Sequence, residues 1–176
     1  RKRLINVKGK GGGNMMKKLI LTILLFVLPI SLIDAYPNEP SGYASMYWGE
    51  SLNKVKARYN TSFLRYNQAR TGALYMVTIP NAYGELGMLG RVNVICFFDN
   101  DRLSHITIPI FRKPEEIENT YRDSLRDLKS ICGTPKYFAN SAVWNGNITM
   151  MGLAKNEAGV AIELMDVRYL HKIMNE

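Results

Sequence analysis

Apolar residues along this chain recur at two different periods, and each change of period marks a new element. Leu52, Val55 and Tyr59 stand at helical spacing after Ser51, whose hydroxyl suits an N-cap, so a short first helix is expected to end near Asn60. Residues 73–80 (ALYMVTIP) are β-branched and aromatic and read as a strand, followed by a loop containing Gly84, Gly87 and Gly90. Residues 91–110 (RVNVICFFDNDRLSHITIPI) hold two β-rich runs around Asp99, Asn100 and Asp101, residues that tolerate turn conformations, and so predict a hairpin. In the second run Ile106, Ile108 and Ile110 share one face, and His105, Thr107 and Pro109 the other. Pro109 has no N–H to donate, which argues for an edge position or a strand end.

The period then lengthens. Residues 114–132 open on Pro114, carry Glu115, Glu116 and Glu118 at the positive end of the helix dipole, and stop before Gly133 and Pro135. Their apolar stripe of Ile117, Tyr121, Leu125, Leu128 and Cys132 is one-sided, so this helix should lie on a sheet. Further strands are expected near 137–144, 148–155 and 159–166, with a turn at 156–159, and then a short tail or turn of helix carrying Tyr169, Leu170 and Ile173. The order is helix, three strands, helix, three strands. It predicts an α+β fold: an antiparallel sheet of about six strands with two helices on one face, arranged as a degenerate α-βββ duplication. This single domain would run over 48–176, after an extended Pro/Gly/Ser-rich lead-in at 36–47.

Ahead of the lead-in the pattern is of a third kind. In residues 15–35 (MMKKLILTILLFVLPISLIDA), Lys17 and Lys18 precede an apolar run from Leu19 to Ile33 that is interrupted by Thr22, Pro29 and Ser31, and the small Ala35 closes it. This reads as a secretory signal peptide cleaved after Ala35. The run is shorter than the ~20 apolar residues that span a bilayer, and no basic stop-transfer cluster follows it. Residues 1–14 open on Arg1, and the sequence KGKGGGN at 8–14 is encoded only by a purine-dominated stretch, like the region before a bacterial start codon. They are expected to be untranslated upstream read-through, with translation starting at Met15 or Met16. The alternative is a basic disordered tail.

Processing would change the charge. The whole chain carries 23 Lys and Arg against 15 Asp and Glu, a net of +8. Arg1, Lys2, Arg3, Lys8, Lys10, Lys17, Lys18 and Asp34 all precede residue 36, which leaves 16 basic and 14 acidic side chains and a net of +2. Those remaining are interspersed, so no nucleic-acid partner is expected. The first residue after the cleavage point is Tyr36 rather than cysteine, so no lipid anchor is expected, and the mature form should not span a membrane. A periplasmic or secreted protein follows. Cys96 and Cys132 are the only cysteines, and export permits a disulfide between them. The bond requires that the helix cover the strand face of Val92, Val94, Cys96 and Phe98; the alternative is two buried free thiols.

The opening Trp48-Gly49-x-Ser51-x-x-x-Val55-x-x-x-Tyr59, the hairpin segment FFDNDRL at 97–103 and the late Trp144 together resemble a pattern common in small exported bacterial proteins. The architecture is similar to the β-lactamase-inhibitor-protein and outer-membrane-assembly small-lipoprotein folds. That resemblance implies a domain that binds other proteins rather than one that catalyses. The chain departs from the lipoprotein members in lacking their lipidated cysteine.

Residues that could carry chemistry are few. His105 and His171 are the only histidines, and neither has a second His, Cys or carboxylate at ligand spacing on its own element. His105 reads as a solvent-facing strand residue, Ser104 should point away from it, and there is no G-x-S-x-G, P-loop or dinucleotide fingerprint. Glu115, Glu116 and Glu118 read as solvated dipole complement, and Asp99 and Asp101 are too few oxygens for a calcium loop. No metal or cofactor is expected. The expectation is therefore a non-catalytic binding or scaffold protein of the envelope, whose partner, another envelope protein or component, meets either an edge strand or the face bearing His105 and Thr107. The alternative is a small periplasmic hydrolase, which a deep pocket converging on His105 with a carboxylate would mark.

Overall fold

The computed structural model describes residues 35–68, 71–82, 86, 90–111 and 113–175. Residues 1–14, expected to be read-through, nearly all of the expected signal peptide, and Gly84 and Gly87 of the expected loop lie outside the described residues.

Among the described residues ten strands and three α-helices follow one another: β1 (Gly42–Tyr43), β2 (Met46–Tyr47), α1 (Leu52–Lys56), β3 (Asn60–Tyr66), β4 (Gly72–Ile79), β5 (Val92–Asp99), β6 (Arg102–Phe111), a 3-10 turn (Pro114–Glu116), α2 (Ile117–Cys132), β7 (Lys136–Phe138), β8 (Ser141–Trp144), β9 (Thr149–Asn156), β10 (Gly159–Asp166) and α3 (Val167–Met174). The class is α+β, with β1 and β2 as a small ribbon. The main sheet has eight strands rather than about six, all antiparallel, in the order β3-β4-β5-β6-β10-β9-β8-β7. That order reads the same from either end. Each half is a helix followed by a four-stranded meander, and the halves meet where β6 pairs with β10, so the unit is α-ββββ rather than α-βββ.

Two strands account for the difference. β3 takes up residues 60–66, immediately after the helical spacing ends, and residues 137–144 form not one strand but the hairpin β7–β8, in which Phe138 pairs with Ser141.

Strand alternation then separates two faces. On the helix face Val94, Cys96, Phe98, Ile106, Ile108, Met151, Leu153, Ile162, Leu164 and Trp144 are buried in one cluster with Leu128 and Cys132 of α2 and Val55 of α1. The stripe of α2 is the expected one: Ile117, Tyr121 and Leu125 pack on the same cluster. Trp144 is anchored by its Nε1–H, which donates to the Gly133 carbonyl at 2.8 Å just past the end of α2. Gly133 turns the chain there with φ 77°, a conformation that costs a residue with a Cβ. A third helix lies on the opposite side: Tyr169 of α3 packs its ring on Phe97 at 5.9 Å, and the Lys172 Nζ meets Asp99 Oδ2 at 2.5 Å.

The lead-in is packed rather than loose. Tyr36, Tyr43 and Met46 belong to the buried cluster, and Ala44 and Ser45 turn the β1–β2 ribbon with φ 49° and 62°. Glu39 accepts the Ile148 N–H at 2.5 Å and the Thr149 N–H at 2.6 Å, while the Asn38 amide donates to the Ile131 carbonyl at 2.8 Å. Trp48 closes the arrangement by donating its Nε1–H to Thr149 Oγ1 at 2.6 Å.

Two further expectations need correction. Ser51 occupies the N-cap position of α1 without capping it, and Asp101, from the β5–β6 turn, accepts the Leu52 N–H at 3.1 Å instead. Pro109 stands neither on an edge strand nor at a strand end. β6 is central, but its ladder with β5 runs only to Thr107, so Pro109 lies beyond that pairing while β10 still pairs alongside it.

Candidate functional site

The hairpins β5–β6 and β9–β10 correspond closely. β5 and β9 are eight residues each and begin 57 positions apart, at Val92 and Thr149. Thr107 pairs with Ile95 on β5, and Glu163 pairs with Gly152 on β9, so these two residues occupy equivalent places in the halves. They also pair with each other, at the middle of the sheet. A bulge at Ser104, between the pairs Phe97–His105 and Phe98–Leu103, is what keeps His105 and Thr107 on the face away from α1 and α2.

On that face Glu163 Oε2 is 2.5 Å from His105 Nε2 and accepts the Thr107 hydroxyl at 2.7 Å. The carboxylate side chain is 4 % exposed and the imidazole 13 %. Glu163 Oε1 is buried without a hydrogen-bond partner among the described residues. Sequence reading placed His105 and Thr107 on one face, which the structure bears out, but it expected His105 to face solvent. The imidazole is instead turned against a carboxylate from a strand 58 residues away. A signal for Glu163 did exist. It is a lone charge inside the apolar run GVAIELM, and such a residue is seldom fully buried without a partner.

The chemistry open to this cluster is limited by how its atoms are spent. With Nε2–H donated to Glu163, the neutral imidazole would keep its lone pair on Nδ1. The Thr107 hydroxyl is committed to the same carboxylate, and Ser104 donates to the Phe97 carbonyl at 3.3 Å. Neither is aligned as a nucleophile toward the imidazole. Among the described residues no three His, Cys, Asp or Glu side chains come together as a metal site. A cleft of about 320 Å³ lies elsewhere, lined by Ala44, Ser45, Tyr59, Ile79 and Asn81. His171, on α3, is exposed and takes no part in the cluster.

The remaining candidates resolve separately. Glu115, Glu116 and Glu118 are exposed, and Glu118 pairs with Lys155 at 2.5 Å. Asp99 pairs with Lys172, and Asp101 caps α1. Cys96 and Cys132 are both buried and both free, which corrects the expected disulfide. The strand face was read correctly, since Cys96 is buried with Val94 and Phe98. The error was lateral. α2 packs on β9 and β10, and β5 lies two strands beyond β10, roughly 10 Å across the sheet, outside the ~7 Å reach of a disulfide between Cα atoms. Burial holds both thiols above their ordinary pKa and so keeps them protonated.

A second feature lies at the end of the sheet. β3 pairs with β4 on one side only, and among the described residues no strand takes its other edge. Its Phe63 and Tyr66 are 50 % and 61 % exposed, with ring centroids 4.9 Å apart, and Phe63 continues edge-on to Tyr75. The Tyr75 ring meets the buried Phe98 in the same way, so the outer aromatics rest on a fixed base. The opposite edge, β7, is three residues long. No helix among the described residues is long and apolar enough to cross a membrane. No family model matches this sequence, and neither does any curated protein or any solved structure.

Proposed function

We propose that this chain is an exported, non-catalytic binding protein of the bacterial cell envelope, periplasmic or secreted after removal of residues 15–35, and that it holds an extended segment of a partner protein along β3. The observation that carries this is the edge itself: a seven-residue strand whose outer side no strand among the described residues pairs, with two half-exposed aromatic rings. An edge strand presents a row of free N–H and C=O groups, and natural proteins usually shorten or charge such an edge, or cover it. Here the edge is seven residues long and carries Phe63, Leu64 and Tyr66 beside a single charge, Arg65. A partner strand would gain main-chain hydrogen bonds over roughly 20 Å, and the pair Phe63 and Tyr66 would supply the side-chain contact. The reading agrees with the protein-binding role that the resemblance implies.

The second reading, a small hydrolase, draws on one observation, the His105–Glu163 pair. It lacks a nucleophile, because the neighbouring hydroxyls of Thr107 and Ser104 are already donated. The test is affinity capture from the envelope fraction of the source cell with wild-type protein and with a Phe63→Ser/Tyr66→Ser variant. One partner retained by the wild type and lost from the variant, with His105→Ala behaving as wild type, is the expected result. Equal retention by the β3 variant refutes docking at β3.

A further inference from the structure

The unpartnered oxygen of Glu163 has a consequence of its own. Apart from His105 and Thr107 on β6, its neighbours along β10 and on β9 are apolar. Ala161 and Met165 flank it along β10, and Met150, Gly152 and Ala154 stand beside it on β9. Lys172 is paired with Asp99 and Arg168 with Asp166, and among the described residues His105 is the cation-capable group that meets the carboxylate. His105 and Thr107 both bond Oε2, and Oε1 has no partner among the described residues. A buried carboxylate oxygen left in that state is destabilising unless a donor reaches it.

We propose that Glu163 Oε1 is the acceptor of a ligand site for a primary alkylammonium group, at the junction of the two α-ββββ halves. The distribution of bonds selects the ligand. A guanidinium recognises a carboxylate through both oxygens at once, in a planar fork, and Oε2 is already taken twice. An ammonium is a compact donor with three N–H bonds and needs only one oxygen. Gly152, Ala154 and Ala161 add little side-chain bulk of their own beside the carboxylate, and Met150 and Met165 are unbranched and able to repack around an alkyl stem. His105 and Thr107 are then positioning residues: they fix the carboxylate by one oxygen so that the other is presented. The amine could be free or the end of a lysine side chain. Both offer the same group.

The test is a titration of the protein followed through the ring resonances of His105, using methylammonium chloride and, in parallel, tetramethylammonium chloride at equal ionic strength. Tetramethylammonium carries the charge but no N–H. The expected result is a saturable shift of the His105 ring with methylammonium only, abolished in Glu163→Gln. A third arm with Nα-acetyl-lysine methylamide locates the source: tighter saturation than methylammonium points to a lysine side chain, and weaker saturation to a free amine. If the two salts act alike, or nothing saturates, or the response survives in Glu163→Gln, the site is not there. The comparison of the two salts on the wild type stands even if Glu163→Gln does not fold.

Discussion

Trp144 and Trp48 each combine a buried ring with one donated hydrogen bond, to the Gly133 carbonyl and to Thr149 Oγ1. Replacing Trp144 by Ala should therefore cost about 3–5 kcal/mol by urea denaturation, while Trp144→Phe, which keeps most of the ring and leaves the carbonyl unpaired, should cost about 1–3. Near-equal losses for the two variants would mean that the hydrogen bond, not packing, dominates. Glu50 makes a smaller, pH-dependent contribution. Hydrogen bonds from Arg58 to both its oxygens hold its carboxyl below the usual range. A carboxyl whose folded pKa is lowered adds stability above its unfolded pKa and loses it as pH falls through the folded value. The Arg58 side chain is 37 % exposed, so the effect is limited to about 0.5–1 kcal/mol. Below about pH 4 the stability difference between wild type and Glu50→Gln should shrink toward zero, as read by thermal melts at several pH values. At this scale the sequence was partly legible. The alternation of Ile106 and Ile108 against His105 and Thr107 placed every one of them on its proper face, whereas Glu163 could not be brought to His105 without knowing that β10 pairs with β6.

α1 depends on a residue outside itself. Asp101 has φ 63°, a turn conformation, and its side chain accepts the Leu52 N–H. Asp101→Ala removes the cap and places a less tolerant residue in the left-handed region, and should cost about 1–2 kcal/mol; Asp101→Gly relieves the strain and loses only the cap. If Asp101→Gly melts no higher than Asp101→Ala, the strain argument is wrong. The hairpin and α2 were readable because their signals are local: a turn-forming trio between β-rich runs, and a stripe closed by Gly133. β3 was not. Its pairing shifts between Phe63 and Arg65, so its side chains do not keep one period of two, and a helix stands immediately before it. β7 and β8 were read as one strand because Ala139 and Asn140, the two residues of their turn, include neither Gly nor Pro.

Over the whole molecule, each half contributes a helix and four strands, and the halves are joined edge to edge at β6 and β10. This geometry separates Cys96 from Cys132. Both thiols should resist alkylation in the folded protein and both should react once it is unfolded in the absence of reductant. No modified thiol after unfolding would mean a bond that the fold does not allow. Joining the halves in the middle also leaves β3 and β7 as the outer edges; both carry aromatic residues, but β3 has seven residues and β7 three. Binding along β3 is thus the central claim, and amide hydrogen exchange of the protein alone and in its captured complex tests it most directly. The account predicts new protection concentrated in Asn60–Tyr66, with the central strands unchanged. Protection confined to the β7 edge or to the face of His105 and Thr107, with β3 exchanging as before, would contradict it.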